Sequence, residues 1–159
     1  MSDKDLISKE SIILRLENSD KNEAIKEIIQ KATVFKGIQD INCLINAVFT
    51  RERVQNTGFG HGVAVAHGKF CGVPGIHIAL GISEEGINYG SCDGKPVHFL
   101  FVIASSPDKQ NEYLYILSRI ARHLKNDTFR NTLQQCSCTD EAFALISTAF
   151  ASMQKTSVA

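Results

Sequence analysis

From Val97 to Ala104 the chain reads Val-His-Phe-Leu-Phe-Val-Ile-Ala, apolar at every position but one. A strand exposed on one face alternates apolar with polar side chains, so a run without alternation belongs to a central strand covered on both faces. The rest of the chain must therefore supply two covering layers. The run is also far shorter than the ~20 residues a helix needs to span a bilayer.

The flanking segments provide those layers. Asp20 with Glu23 three residues later reads as a helix start, and Ala24, Ile25, Ile28, Ile29 and Ala32 then fall on one helical face. Gly37 ends that segment, and Asp40 caps a second helix with Ile41, Leu44, Ile45, Val48 and Phe49 on its apolar side, fraying near Thr50-Arg51. Val63-Ala64-Val65 is a short strand, and Ile76, Ile78, Leu80 and Ile82 alternate at period two. Glu84-Glu85-Gly86 and Cys92 to Pro96 read as turns. After Ser106-Pro107-Asp108, a helix carries Leu114, Leu117, Ala121 and Leu124, with Tyr113, Ile116 and Ile120 widening the stripe. Asn126-Asp127 starts a short helix, and Thr139 or Asp140 caps a last one with Phe143, Ile146 and Phe150 inward. The order predicts an α/β fold, a single mixed β-sheet flanked by helices on both sides. No linker interrupts it, so one domain over 1–152 is expected, with a frayed tail over 153–159.

Charge and cysteines narrow the setting. Seventeen Lys and Arg balance seventeen Asp and Glu, which argues against a general nucleic-acid binder. Five cysteines in no framework spacing suit a reducing cytoplasm, and the polar start reads as no signal peptide. Cys136 and Cys138 are expected as free thiols. His61, His67, Cys71 and His77 match no zinc spacing, so neither a metal nor a cofactor is expected.

Chemistry concentrates between Arg51 and Lys69. Gly58, Gly60 and Gly62 at alternate positions free the backbone, and successive N–H groups there can converge on an anion. A short strand then delivers His67 at its end, before Gly68. A neutral imidazole, with an unperturbed pKa of about 6.5, is a good nucleophile near pH 7. Phosphoryl transfer asks mainly for positioning and positive potential, which Arg51 and the loop can supply.

This stretch resembles the signature of the fructose/mannitol-type enzyme IIA domains of the bacterial phosphotransferase system, a group that includes the nitrogen-regulatory IIA proteins. The family pattern runs Arg-Glu, a short gap, Ser-Thr-Gly-Ile-Gly, any residue, Gly, aliphatic, Ala, aliphatic, Pro-His-Gly. Here it reads Arg51-Glu52, Asn56-Thr57-Gly58-Phe59-Gly60, Gly62-Val63-Ala64-Val65 and Ala66-His67-Gly68. Asp93-Gly94-Lys95-Pro96-Val97, Ser105-Ser106-Pro107 and the helix from Tyr113 extend the likeness from about residue 8 to residue 150. The resemblance implies a cytoplasmic phosphocarrier, nitrogen-regulatory in character, with no membrane insertion. His67 would take a phosphoryl group on Nε2 from phosphorylated HPr or its nitrogen-type homologue. It would pass the group to a IIB domain or keep it as a mark read by a regulatory target. Arg51 would face the phosphate, with Asn56, Thr57, Gly58, Gly60 and Tyr113 in support. Two positions depart from the pattern. Ala66 replaces the proline before the histidine, and Tyr113 stands where the family usually has a second histidine. A phenol donates one hydrogen bond but does not become cationic near neutral pH. These departures raise an alternative, a regulatory interaction module of the same fold.

Overall fold

The structure, a computed structural model, describes residues 7–157, with side chains described through Phe150. Its strands are β1 (Ile12–Ile13), β2 (Gly58–Gly60), β3 (Val63–Lys69), β4 (Ile76–Ile87) and β5 (Val97–Ser105). They form one mixed sheet in the order β1-β4-β5-β3-β2. The apolar run is the central strand β5, antiparallel to β4 and parallel to β3, while β2 folds back antiparallel on the other edge of β3.

Among the described residues five α-helices cover the sheet: α1 (Lys21–Lys31), α2 (Ile41–Val54), α3 (Gln110–Leu124), α4 (Asp127–Gln134) and α5 (Thr139–Ser157). Strand parity sorts the core into two layers. Phe99, Phe101 and Ile103 of β5 pack with Ile116 and Ile120 of α3 and Ile146 of α5. Leu100, Val102 and Ala104 pack with Ile25 and Ile28 of α1 and Leu44 and Val48 of α2. The α/β architecture with helices on both faces is the one expected.

Three helix starts are capped as the sequence predicts. Asp20 accepts from the Glu23 N–H at 3.1 Å, Asp40 from Cys43 at 3.2 Å and Asn126 from Phe129 at 2.9 Å. Each satisfies a donor that the helix itself cannot, worth about 1 kcal/mol.

Several details differ from the sequence reading. Glu84-Glu85-Gly86 is no turn: β4 runs on to Ile87, with a register shift against β5 between Ile82 and Ile87 and Gly86 at φ +99°. The extra residues leave as a bulge, which keeps the two glutamates solvated without ending the strand. On α3 the buried line is Tyr113, Ile116, Ile120 and Leu124, whereas Leu114 is 51% exposed. Thr139 is already helical, and the carbonyl before it, on Cys138, accepts the first helical bond from Ala142. The tail expected to fray from residue 153 is helical to Ser157, and residues 158–159 lie outside the described residues. Strands β1 and β2 have no strand pattern in the sequence: one is two residues long and the other is Gly-Phe-Gly.

Candidate active site

The site forms where β3 ends. Residues Val63 and Val65 face the α3 layer, and His67 shares their parity, so its ring is directed to that side. The alternate residues Ala64, Ala66 and Gly68 face α2. A Cβ on Gly68 would stand 2.8 Å from Leu44 Cδ1, 2.8 Å from Val48 Cγ2 and 3.3 Å from the Leu44 carbonyl oxygen. Only glycine lets α2 lie this close to β3, and the close approach brings the C-terminal turn of α2, with Arg51, alongside His67.

His67 is 6% exposed. Its ring lies flat on the ring of Tyr113, with centroids 3.8 Å apart and planes 12° apart. Its Nε2 is 2.7 Å from the Ser105 hydroxyl on β5. Burial, then the cations of Lys69 and Arg51, lower the imidazole pKa to about 4. The ring is therefore neutral at pH 7. Burial likewise raises the Tyr113 phenol, so that it too stays uncharged.

His67, Arg51, Lys69 and Tyr113 line one cleft of about 770 Å³. Among the described residues its walls contain two cations and no carboxylate. Its rim is apolar: Val54 is 80% and Leu114 51% exposed. Arg51 donates from Nη1 to the Gln55 carbonyl at 3.0 Å, satisfying an acceptor just beyond its own helix.

The remaining expected residues play other parts. Asn56 donates to the Tyr89 carbonyl at 2.8 Å and accepts from the Gly58 N–H at 2.7 Å. Thr57 bonds through its hydroxyl to Glu52 and through its N–H to the same carboxylate at 3.3 Å. Asn56 and Thr57 thus fasten the loop after α2 to the framework. Gly58 begins β2 opposite Ala64, where a Cβ would fall 2.2 Å from the Ser91 hydroxyl. Gly60 is a correction to the sequence reading. With His61 at φ 59° and Gly62 at φ +73° it forms the reversal from β2 to β3. It pairs with Val63, four residues from His67, or about 13 Å along the strand. The alternate glycines build a hairpin at the far end of β3 and cannot gather N–H groups around His67.

Three further residues matter here: the sequence gives no role to Glu52 or Ser105, and Lys69 reads there as surface that can also meet an anionic partner. Glu52 is 7% exposed, accepts from Tyr89 Oη at 2.9 Å and pairs with Lys21 Nζ at 2.8 Å. A carboxylate on the apolar side of a helix was the available signal, because such a group is buried only when paired. Lys69 is exposed and reads as ordinary surface, yet it lines the cleft and helps depress the His67 pKa.

A buried neutral imidazole in a cationic cleft at the end of a strand defines the class of site. Comparison with known proteins gives the class a family. Residues 5–149 match the family model described as "Phosphoenolpyruvate-dependent sugar phosphotransferase system, EIIA 2", and the chain belongs to that family. It is 31% identical over 142 residues to the PTS system fructose-specific EIIABC component of Bacillus subtilis (strain 168), covering 89% of this chain and 22% of that protein. The chain thus spans about a fifth of that relative. It is 29% identical over 130 residues to the nitrogen regulatory protein of Bradyrhizobium diazoefficiens, covering 82% of this chain and 84% of that one. Among solved structures, nitrogen regulatory protein IIA-Ntr from Neisseria meningitidis superposes with a TM-score of 0.83 at 25% identity, covering 90% of this chain and 97% of that one. The Escherichia coli enzyme IIAMTL, solved in complex with phosphorylated enzyme IIBMTL, shares the fold with a TM-score of 0.74 at 21% identity, covering 89% of this chain and 96% of that one. Among the described residues, no helix is long and apolar enough to cross a membrane.

Proposed function

We propose that this chain is a cytoplasmic phosphocarrier that accepts a phosphoryl group on His67 from phosphorylated HPr or its nitrogen-type homologue. The group then passes to a IIB-type partner or remains as a regulatory mark, and the nitrogen-regulatory role is the favoured one. The observation that carries this reading is the neutral His67 imidazole in a cleft lined by Arg51 and Lys69 and, among the described residues, by no carboxylate. A neutral ring keeps its lone pair for attack, and the two cations balance the charge on the equatorial phosphoryl oxygens. The likeness to nitrogen regulatory proteins, which extends over most of their length, supports the regulatory branch. The pairing of the mannitol IIA neighbour with its IIB makes a IIB domain the natural acceptor class.

The apolar rim of Val54 and Leu114 favours a second reading, a regulatory module that docks a target over the His67 cleft with or without phosphorylation. One experiment separates the two. The wild type is expected to take radiolabel from phospho-HPr, and His67→Gln, which keeps a polar side chain but has no ring nitrogen, is expected to take none. Labelling of His67→Gln at the wild-type rate refutes the assignment, and an unlabelled wild type selects the module.

A further inference from the structure

His67 Nε2 has its hydrogen-bond partner on the neighbouring strand β5. Ser105 is 1% exposed, and its hydroxyl lies 2.7 Å from Nε2. Among the described residues this is the hydroxyl's one hydrogen bond. A buried O–H needs an acceptor. If Nε2 were the donor, the Ser105 proton would be left buried without one. The assignment that satisfies both groups has Ser105 donating to the Nε2 lone pair, which places the ring proton on Nδ1. The register explains why this serine can reach. His67 on β3 lies opposite Ile103 on the neighbouring strand β5, and Ser105, two residues on, has the same parity as Ile103 and so lies on the same face of the sheet.

We propose that Ser105 is a positioning residue for phosphoryl acceptance: it holds His67 in the Nδ1–H tautomer with the Nε2 lone pair on the nucleophilic side, and it turns its O–H to a phosphoryl oxygen when the group arrives. The inference rests on the phosphocarrier reading given above. In the transfer step the Nε2 lone pair forms the new N–P bond. The donor's N–P bond breaks, and its electron pair returns to the donor ring nitrogen. The proton on His67 Nδ1 stays on the ring until water removes it. The Ser105 hydroxyl gives up a neutral acceptor for a charged one, so its bond is stronger in the phosphorylated state than in the resting state. Interactions that strengthen along the reaction are the ones that accelerate it.

The test compares wild type, Ser105→Ala and Ser105→Thr. Long-range ¹H–¹⁵N correlation of the unphosphorylated proteins reads the tautomer of His67. Initial labelling from phospho-HPr reads the rate, and ¹⁵N–³¹P coupling reads which nitrogen carries phosphorus. Wild type is expected to show a protonated Nδ1 and phosphorus on Nε2. Ser105→Ala is expected to lose the single tautomer and to label about tenfold more slowly or worse, as for removal of a positioned donor. Ser105→Thr keeps the hydroxyl in a strand that suits β-branched residues, and is expected to restore the tautomer and most of the rate. A wild-type ring protonated on Nε2, phosphorus on Nδ1, or Ser105→Ala with wild-type tautomer and rate would each overturn the proposal. A wild type that takes no label refutes the phosphocarrier reading, and with it the transfer role of Ser105, whatever the tautomer; slower labelling in Ser105→Ala alone leaves that reading intact.

Discussion

Protonation of His67 links the active site to the stability of the whole domain. In the unfolded chain this imidazole has a pKa of about 6.5. In the fold, burial, Lys69 and Arg51 bring it to about 4. Between those two values the unfolded chain binds a proton that the folded chain refuses, so stability rises with pH. The contribution is fully present above pH 6.5, is lost as pH falls toward about 4, and does not change further below that. A fall from 6.5 to about 4, at about 1.36 kcal/mol per pH unit, amounts to about 3 kcal/mol. Carboxylates also titrate in this range, so the quantity to measure is the difference between wild type and His67→Gln, in which only the histidine contribution is missing. Urea unfolding at pH 7 and at pH 4 is expected to show wild type losing about 3 kcal/mol more than His67→Gln between the two. Direct NMR titration of the ring is expected to place its midpoint near 4. A wild-type minus variant difference that is flat with pH, or a ring that titrates between 6 and 7, refutes the reasoning. The same midpoint implies that only about one ring in a thousand is protonated at pH 7.

Gly68→Ala is expected to cost about 1–3 kcal/mol, read as a lower urea midpoint with an unchanged slope, because the new Cβ meets Leu44 and Val48 at 2.8 Å and the Leu44 carbonyl oxygen at 3.3 Å. Full stability in that variant would show that α2 can withdraw from β3 without cost. Tyr113→Ala removes the ring stacked on His67, and NMR titration is expected to find the imidazole pKa raised from about 4 toward 6.5, while Tyr113→Phe keeps it low. An unchanged midpoint in Tyr113→Ala would assign the burial of His67 to other neighbours.

The sequence was most readable where one pattern had one structural meaning. The unbroken apolar run at Val97 to Ala104 could only be an interior strand, and it is the centre of the sheet. Asp20, Asp40 and Asn126 each precede an apolar helical stripe, and all three cap helices. Reading failed where two meanings share a pattern. Glu84-Glu85-Gly86 has the composition of a turn, but a bulge needs the same residues, and only pairing with β5 decides between them. Leu114 and Ile116 are equally apolar, yet one opens on the His67 cleft and the other enters the core. The stripe on α3 is wider than the core it covers because part of it forms the rim of the site. Ser105 enters the family likeness only within Ser105-Ser106-Pro107, and nothing local marks its contact with His67. Its meaning comes from the alignment of β3 with β5, a long-range register that local patterns do not contain.

The adjacent pair Arg51-Glu52 shows how a short motif can divide its work. Successive residues on a helix point about 100° apart. Arg51 therefore lines the cleft while Glu52 turns inward to Thr57, Tyr89 and Lys21. Glu52 is bound to the first helix through Lys21, to the segment after β4 through Tyr89 and to the start of β2 through Thr57. A carboxylate so placed fixes the last turn of α2 in three directions, and Gly68 sets how near that turn lies to β3. Asn56 closes the arrangement by tying the same loop to the Tyr89 carbonyl. The guanidinium beside His67 is thus held by groups that never enter the cleft. This explains why Asn56 and Thr57, read as phosphate binders from the sequence, lie around the helix end rather than around the imidazole. Their proximity in sequence to Arg51 reflects the anchoring of that arginine, which lines the cleft together with Lys69 and His67.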